Sequence, residues 1–202
     1  MPALFTREGR SAMRIDAFYS DPHYNHKNIL KYCPRPFADM DEMREGMIAR
    51  YNEIVRPNQC TLWMGDCFFG GLKDDAAAIM ARLNGHKMLI RGNHDHWPAY
   101  VYLEMGFEFV SELGFDIRLG KRIVHVNHYP TKPFHEGDVR YANVMVKPRA
   151  GVGIMHGHTH EAVRITPRGE LHAGVDAWQW APAPREELEV LVEQLPCFME
   201  AA

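Results

Sequence analysis

Five apolar segments of this chain each run directly into a side chain that can bind a metal ion. The segments have the composition of buried β-strands, and the polar motifs that follow them are Asp21-Pro22-His23, Gly65-Asp66, Asn93-His94-Asp95, His128-Tyr129-Pro130 and His156-Gly157-His158-Thr159-His160. In open α/β sheets, sites form outside the carboxyl ends of the strands, so these five motifs can converge in space. This arrangement favours an α/β fold with one polar site at the strand ends.

Strand and helix signals alternate along the first half of the chain. Strands are predicted at residues 14–20, 61–64 and 87–91, with a helix at 38–55 for which Asp39 or Asp41 is the candidate N-cap, and a second helix at 74–83. Later residues are richer in strand signals. They predict a hairpin of 115–119 with 122–127 about Gly120, a strand at 151–155, a hairpin of 162–165 with 171–175, and a closing helix at 186–194.

The composition is that of an ordinary globular chain with one domain. Residues 13–202 are assigned to that domain, and residues 1–12 to an N-terminal extension, since Met13 is itself a plausible start. The net charge is −3, from 23 basic and 26 acidic residues, which argues against nucleic-acid binding through bulk electrostatics. With no long apolar run, no signal-peptide pattern and four cysteines without a CxxC pair, we expect a cytoplasmic protein without a membrane partner.

The donor types in the five motifs predict a centre of two metal ions. Carboxylate, imidazole and amide groups suit divalent Mn, Fe, Zn, Co or Ni better than a soft thiolate site would. In Asp21-x-His23 and His158-x-His160, residues two apart in an extended segment point the same way, so each pair can grip an ion. Seven donors exceed what one ion with an open position needs, whereas two ions can share a bridging carboxylate. Gly65, Gly92 and Gly157 allow sharp turns beside them.

Taken in order, the motifs resemble the signature of the calcineurin-like metallophosphoesterases, which is D-x-H, GD, GNH[D/E], H and GHxH. Every part of that signature is present between residues 21 and 160. The segments SDPHYNHKNIL, CPRPF, NHYP and HGHTH are similar to the small stand-alone bacterial and phage members. The resemblance implies an α/β fold of two stacked mixed β-sheets flanked by helices, an α/β/β/α sandwich.

The resemblance also implies a role for each motif residue. One ion would be held by Asp21, His23, Asp66 and His160, and the other by Asp66, Asn93, His128 and His158, so that Asp66 bridges them. His94 would be the catalytic group that assists the leaving oxygen. Asp95, also taken as catalytic, would orient His94, although capping of the following segment is an alternative. His26 and Arg35 are candidate substrate contacts, whereas Asp176 is expected only to cap a turn.

The implied activity is hydrolysis of phosphate esters, phosphodiesters before monoesters, by in-line attack of a metal-bridging hydroxide. Phe69 stands where the protein-phosphatase branch carries a second aspartate, which disfavours a protein phosphatase. The expected substrate is a small phosphate ester such as a nucleotide. Duplex nucleic acid is not expected, because the chain is too short for the large capping domains of related DNA-repair nucleases and its composition does not indicate a basic surface.

Three alternatives remain at this point. The same fold serves in some proteins as a catalytically silent interaction module, although such a loss should delete a ligand or His94. A nuclease acting on short single strands is a second alternative. A membrane-surface pyrophosphatase is disfavoured, because the basic residues of the helix near 39–56 alternate with acidic ones. Substrate choice is expected to depend on the loops at 22–38 and 131–150.

Overall fold

Two β-sheets form the centre of the protein in a computed structural model that describes residues 14–133 and 140–195. The predicted N-terminal extension, residues 1–12, lies outside the described residues. The strands are β1 (Ala17–Tyr19), β2 (Cys60–Trp63), β3 (His86–Ile90), β4 (Phe109–Ser111), β5 (Phe115–Leu119), β6 (Arg122–Val126), β7 (Val152–His156), β8 (Leu171–His172) and β9 (Ala183–Pro184). The α-helices are α1 (Ile29–Tyr32), α2 (Met40–Ile54), α3 (Lys73–Met80), α4 (Ala99–Glu104) and α5 (Arg185–Val192), with a 3-10 turn at Val175–Ala177.

The first sheet has five strands in the order β4-β3-β2-β1-β9. Strands β1 to β4 pair in parallel, and β9 runs antiparallel to β1. Parallel pairing brings the carboxyl ends of β1, β2 and β3 to one edge of the sheet, where three of the five motifs begin. The convergence predicted for the first half of the chain therefore has its basis in this pairing.

The second sheet has four strands in the order β5-β6-β7-β8. Strands β5 and β6 form the predicted antiparallel hairpin, and the turn at Gly120 has a φ of 57°. The hairpin predicted for 162–165 with 171–175 is present in a shorter form. Ile165 bridges antiparallel to Leu171, and the backbone N–H of His172 donates to the carbonyl of Arg164, while β8 also pairs in parallel with β7.

The start of helix α2 is fixed by a side-chain cap. The carboxylate of Asp39 accepts hydrogen bonds from the backbone N–H groups of Asp41 and Glu42, which settles the choice of N-cap. One face of the helix then buries Met43 and Met47, with Ile48 and Tyr51 completing the stripe. The predicted span of 38–55 differs from the observed helix by two residues at its start and one at its end.

Apolar side chains divide into two clusters, one on each face of the five-stranded sheet. Between the sheets, Phe18, Leu62 and Ile90 meet Val124, Val126 and Met155, and Leu188 and Val192 of α5 join this cluster. On the other face, Tyr19, Trp63 and Leu89 pack against buried residues of α1 to α4. The fold is therefore mixed α/β with two mixed sheets and flanking helices, and α5 contributes to the layer between the sheets.

The two sheets meet again at their polar ends. A parallel bridge joins Ser20, directly after β1, to Gly174, two residues after β8. The end of the first strand is thereby placed beside the segment that follows β7 and β8.

Within the described part of the chain, no helix combines the length and apolar character needed to cross a bilayer.

Candidate metal centre

The predicted ligands form two adjacent groups. One ligand atom from each of Asp21, His23 and His160 lies within 4.8 Å of the others, and the same is true of Asp66, His128 and His158. Asn93 joins the second group, since its Oδ1 lies 3.1 Å from Nε2 of His128. Each group combines residues that follow strands of both sheets. The structure thus brings all seven predicted ligands together, divided as the sequence resemblance implies.

Asp66 lies between the two groups. Its Oδ2 is 3.5 Å from Nε2 of His23, and its Oδ1 is 3.5 Å from Nε2 of His128. One carboxylate therefore faces a histidine of each group with a different oxygen. This is the arrangement that a bridging ligand needs.

The ligand pairs adopt a backbone conformation that the sequence analysis did not predict. Asp21 and His23 have φ of 58° and 52°, and His158 and His160 have φ of 67° and 53°. These values are left-handed, so the explanation from extended segments is wrong. Non-glycine residues are uncommon in this region and are concentrated at functional sites, where surrounding contacts hold them. The contacts here include the backbone N–H of His23, which donates to the carbonyl of Asp66.

Two glycines allow the ligand loops to approach one another closely. A Cβ at Gly157 would lie 2.3 Å from Oδ2 of Asp21, and a Cβ at Gly92 would lie 2.2 Å from Oδ1 of Asp66. Neither glycine has a positive φ, so close packing rather than a special turn requires them. The carboxylates of both candidate ligands are packed against glycine backbone.

Buried nitrogen atoms without hydrogen-bond partners in the described part of the chain make this region suited to a cation. Neither ring nitrogen of His23 has a hydrogen-bond partner among the described residues, although the side chain is only 2% exposed. Burial lowers the pKa of His23 well below its usual range, and burial together with His128 lowers the pKa of His158 to about 3. Both imidazoles are therefore neutral near pH 7, the form that binds metal. Unpaired buried nitrogens beside carboxylates fit a site for divalent ions.

The carboxylate of Asp66 is also suited to a nearby cation. Burial raises the pKa of Asp66 to about 7, with Asp21 and Asp95 acting in the same direction and His128 opposing them. A buried carboxylate is costly without a compensating positive charge. A cation between the two groups would supply that charge.

Two histidines are held by hydrogen bonds from the ring nitrogen that faces away from the centre. Nδ1 of His128 lies 2.8 Å from the carbonyl oxygen of Met64, and Nδ1 of His160 lies 2.8 Å from Oδ2 of Asp176. Partners of this kind fix the orientation of a ligand ring and its tautomer. Burial lowers the pKa of His160, but the hydrogen bond to Asp176 and the nearby Cys33 and Asp21 outweigh burial and raise it to about 10.

Asp176 is a site residue that the sequence analysis missed. It was expected to cap a turn, yet its carboxylate connects His160 to the guanidinium of Arg35, whose Nε and Nη2 lie 2.9 and 3.0 Å from its oxygens. A signal was available, because Asp176 follows the apolar segment 171–175 just as the other motifs follow their strands.

Arg35 is a correction to the predicted substrate contacts. Its side chain is fully buried, and its Nη1 and Nη2 also donate to the carbonyl oxygens of Pro22 and Asp21 at 2.9 and 2.8 Å. Every part of the guanidinium is therefore engaged inside the protein. Arg35 supports the loop that carries Asp21 and His23 and does not reach out to a substrate.

His94 lies at the rim of the two groups. Its backbone N–H donates to Oδ1 of Asp66 at 2.9 Å, while Nε2 of its ring lies 3.9 Å from Oδ2 of the same carboxylate. The side chain is 32% exposed, in contrast to the buried histidines below it. Burial, followed by His26, His96 and His128, lowers the pKa of His94 to about 4. The ring is thus neutral near pH 7 and retains one N–H that can be donated.

Asp95 does not occupy the predicted position behind His94. Its carboxylate accepts hydrogen bonds from the backbone N–H groups of Asp66, Cys67 and Gly92 at 2.8, 3.0 and 2.8 Å. The residue therefore joins the loops after β2 and β3, and it positions Asp66 instead of orienting the ring of His94.

His26, the other predicted substrate contact, lies beside His94. The centroids of the two rings are 6.2 Å apart, and the ring of His26 also contacts that of Phe69, at 4.2 Å and a tilt of 42°. Nδ1 of His26 is buried without a partner among the described residues. The structure therefore places His26 next to the rim, which is compatible with the predicted role.

Comparisons with known proteins show a shared fold and no named function. No protein-family model matches the chain. The uncharacterized protein MJ1445 of Methanocaldococcus jannaschii is 29% identical over 190 residues, which cover 91% of this chain and 94% of that protein. A protein of unknown function from Aquifex aeolicus, AQ665, has a similar structure, with a TM-score of 0.63, 20% identity and coverage of 87% of this chain and 97% of that chain.

A more distant structural similarity involves the nuclease MPE of Pseudomonas putida. Its TM-score is 0.45 at 17% identity, over 76% of this chain and 64% of that chain. The similarity to AQ665 supports the fold described above.

Proposed function

We propose that this protein is a metal-dependent phosphoric ester hydrolase of the calcineurin-like metallophosphoesterase type, acting on phosphodiesters. The observation that carries the proposal is the pair of donor groups that meet at Asp66, with His94 at the exposed rim above them. Two ions held by one shared carboxylate are the usual apparatus for in-line displacement at phosphorus.

Seven side chains would hold the two ions. They are Asp21, His23, Asp66, Asn93, His128, His158 and His160. Their mixed oxygen and nitrogen donors accept Mn, Fe, Zn, Co or Ni, and availability decides among these ions. When bound, the ions would supply Lewis acidity, which polarises phosphoryl oxygens and lowers the pKa of water.

His94 is the residue that we assign to the leaving oxygen. It is not needed as a ligand, its ring is partly exposed, and its neutral form carries one N–H for donation. Hydrogen bonding or proton transfer to the leaving oxygen offsets the charge that develops there. Asp95 and Asp176 act through other residues, since one fixes the Asp66 loop and the other fixes His160.

The preference for a diester rests on what surrounds the centre. A terminal phosphate carries a second negative charge, yet Arg35, a candidate substrate contact in the sequence, is engaged within the protein. The rim near His94 instead carries the rings of His26 and Phe69. These groups suit a phosphate with two organic substituents.

The free cysteines Cys33, Cys60 and Cys67 suit a reducing compartment, and the cytoplasm is the location that we propose.

The test compares bis-p-nitrophenyl phosphate with p-nitrophenyl phosphate on chelator-stripped protein that is resupplied with each metal in turn. We expect metal-dependent release that favours the diester. His94→Ala should keep two ions per chain while turnover falls roughly 10²- to 10⁴-fold. His86→Ala is a matched control, because that exposed histidine pairs with Glu108 away from the centre.

Asp66→Asn separates the bridging role from that of an ordinary ligand. Loss of both ions together is expected, since each donor group faces one oxygen of this carboxylate. Loss of only one ion would contradict the bridging assignment. Two bound ions with no turnover of either ester would favour a silent interaction module.

A further inference from the structure

Three aromatic side chains line the rim on the side of His94. We call His26, Tyr32 and Phe69 the aromatic rim. The ring centroid of Phe69 lies 4.2 Å from that of His26 and 4.7 Å from that of His94, which it meets edge-on at 85°. The ring of Tyr32 lies 6.0 Å from His26 and is 71% exposed. Together these rings continue outward from the residue assigned to the leaving oxygen.

Phe69 does not serve the apolar core as its neighbour does. Phe68 is 3% exposed and belongs to the cluster that packs beneath the helices, whereas Phe69 is only partly buried and belongs to neither cluster. Its backbone N–H nonetheless donates to the carbonyl of Tyr24 at 2.9 Å. The loop therefore holds a large apolar ring at the rim, although burial in the core would be more favourable for it.

The aromatic rim consists of rings that contact one another, and Tyr32 is the most exposed of them. Rings offer stacking and edge-to-face contacts, which flat groups make better than saturated ones of equal size. An aryl group or a nucleobase is the kind of ligand that such a surface favours.

We propose that the aromatic rim is the binding site for a planar group on the leaving side of the phosphodiester. This inference rests on the proposed function, because that function makes the oxygen beside His94 the leaving oxygen. Phe69 contacts His94, so a substituent attached to an oxygen beside His94 emerges over Phe69 and toward Tyr32. The substrate class is thereby narrowed to phosphodiesters with an aryl group or a nucleoside on that side.

A binding measurement tests the inference independently of turnover. Phenylphosphonate and cyclohexylphosphonate carry the same charge and number of carbons, and neither is hydrolysed. Calorimetry with the Mn-loaded protein should show that phenylphosphonate binds about three- to tenfold more tightly. Phe69→Leu and Tyr32→Ala should each reduce that preference. Tyr100→Ala, at a tyrosine of α4 that is 62% exposed, should leave it unchanged.

Kinetics separate this inference from the proposed function. In Phe69→Leu, KM for bis-p-nitrophenyl phosphate should rise more than kcat falls. Metal-dependent hydrolysis without a preference for planar ligands, or with a preference that survives Phe69→Leu, would contradict a binding site at the aromatic rim. The proposed hydrolase function would then still stand. A planar preference that depends on Phe69, in a protein without turnover, would support the binding site and contradict the enzyme.

Discussion

Asp176 and His160 are joined by a hydrogen bond of 2.8 Å between Oδ2 of the carboxylate and Nδ1 of the ring. The same carboxylate is held by two nitrogens of Arg35, whose remaining contacts are the carbonyl oxygens of Asp21 and Pro22. One residue outside the predicted motifs thus fixes a candidate ligand from the second sheet to the loop that carries a candidate ligand from the first. It is a positioning residue for both.

Asp176→Ala should weaken metal binding at the group formed by Asp21, His23 and His160. The ring of His160 loses the acceptor that sets its orientation, and such losses cost roughly 10- to 100-fold in metal affinity. Metal titration followed by calorimetry measures the change. Asp116→Ala is the matched control, because Oδ1 of that exposed residue lies 2.8 Å from Nδ1 of His125 away from the centre. Equal effects of the two variants would contradict the positioning role.

Asp95→Ala should destabilise the fold as well as the centre. Three backbone N–H groups, two of them buried and one partly buried, lose their carboxylate acceptor, so the free energy of unfolding should fall by about 3 kcal/mol in a urea titration. Asp39→Ala removes an exposed carboxylate that also accepts two backbone N–H groups, and there the expected loss is about 1 kcal/mol. A shifted pH profile of hydrolysis with unchanged stability would instead restore the predicted catalytic role of Asp95.

Gly157→Ala should displace Asp21 and abolish metal binding at the group that contains it. The added Cβ would lie 2.0 Å from Oγ of Ser20 and 2.3 Å from Oδ2 of Asp21, so the loops must separate. We expect at most one tightly bound ion per chain, measured by elemental analysis after gel filtration. Gly153→Ala, on the strand β7 that leads into Gly157, meets the flexible side chain of Leu195 at 3.2 Å and should keep both ions. Two tightly bound ions in Gly157→Ala would show that the loops adapt.

Glu170 provides a prediction for stability against pH. Burial alone would raise its pKa, but His156, Thr131 and Arg168 lower it to about 2. Because this folded-state pKa is below the ordinary value of 4.5, the stabilisation is fully present above pH 4.5 and is lost as the pH falls toward 2. Glu170→Gln should therefore lower the free energy of unfolding by roughly 1–3 kcal/mol at pH 6 and by much less at pH 3. An equal difference at both pH values would exclude the charge as its source.

The positions of the donor motifs were predictable because they depend on local patterns. An apolar strand followed by Asp66 or His128 is visible in the sequence, and so are the two candidates, Asp39 and Asp41, for the N-cap of α2. The link between Arg35 and Asp176 was not, since 141 residues separate them and only the packing of the two sheets brings them together. The left-handed backbone at Asp21 and His158 was likewise hidden, because it is imposed by contacts with other loops and not by residue type.

Because the donors come from both sheets, a bound ion would link one sheet to the other. Asp21, His23 and Asp66 follow strands of the first sheet, whereas His128, His158 and His160 follow strands of the second, and each group draws on both. A chain cut between β4 and β5 would leave neither half with a complete group. Ions bound there would be lost whenever the two sheets separate, so metal retention would report on the integrity of the whole molecule. Added metal would stabilise the contact between the sheets.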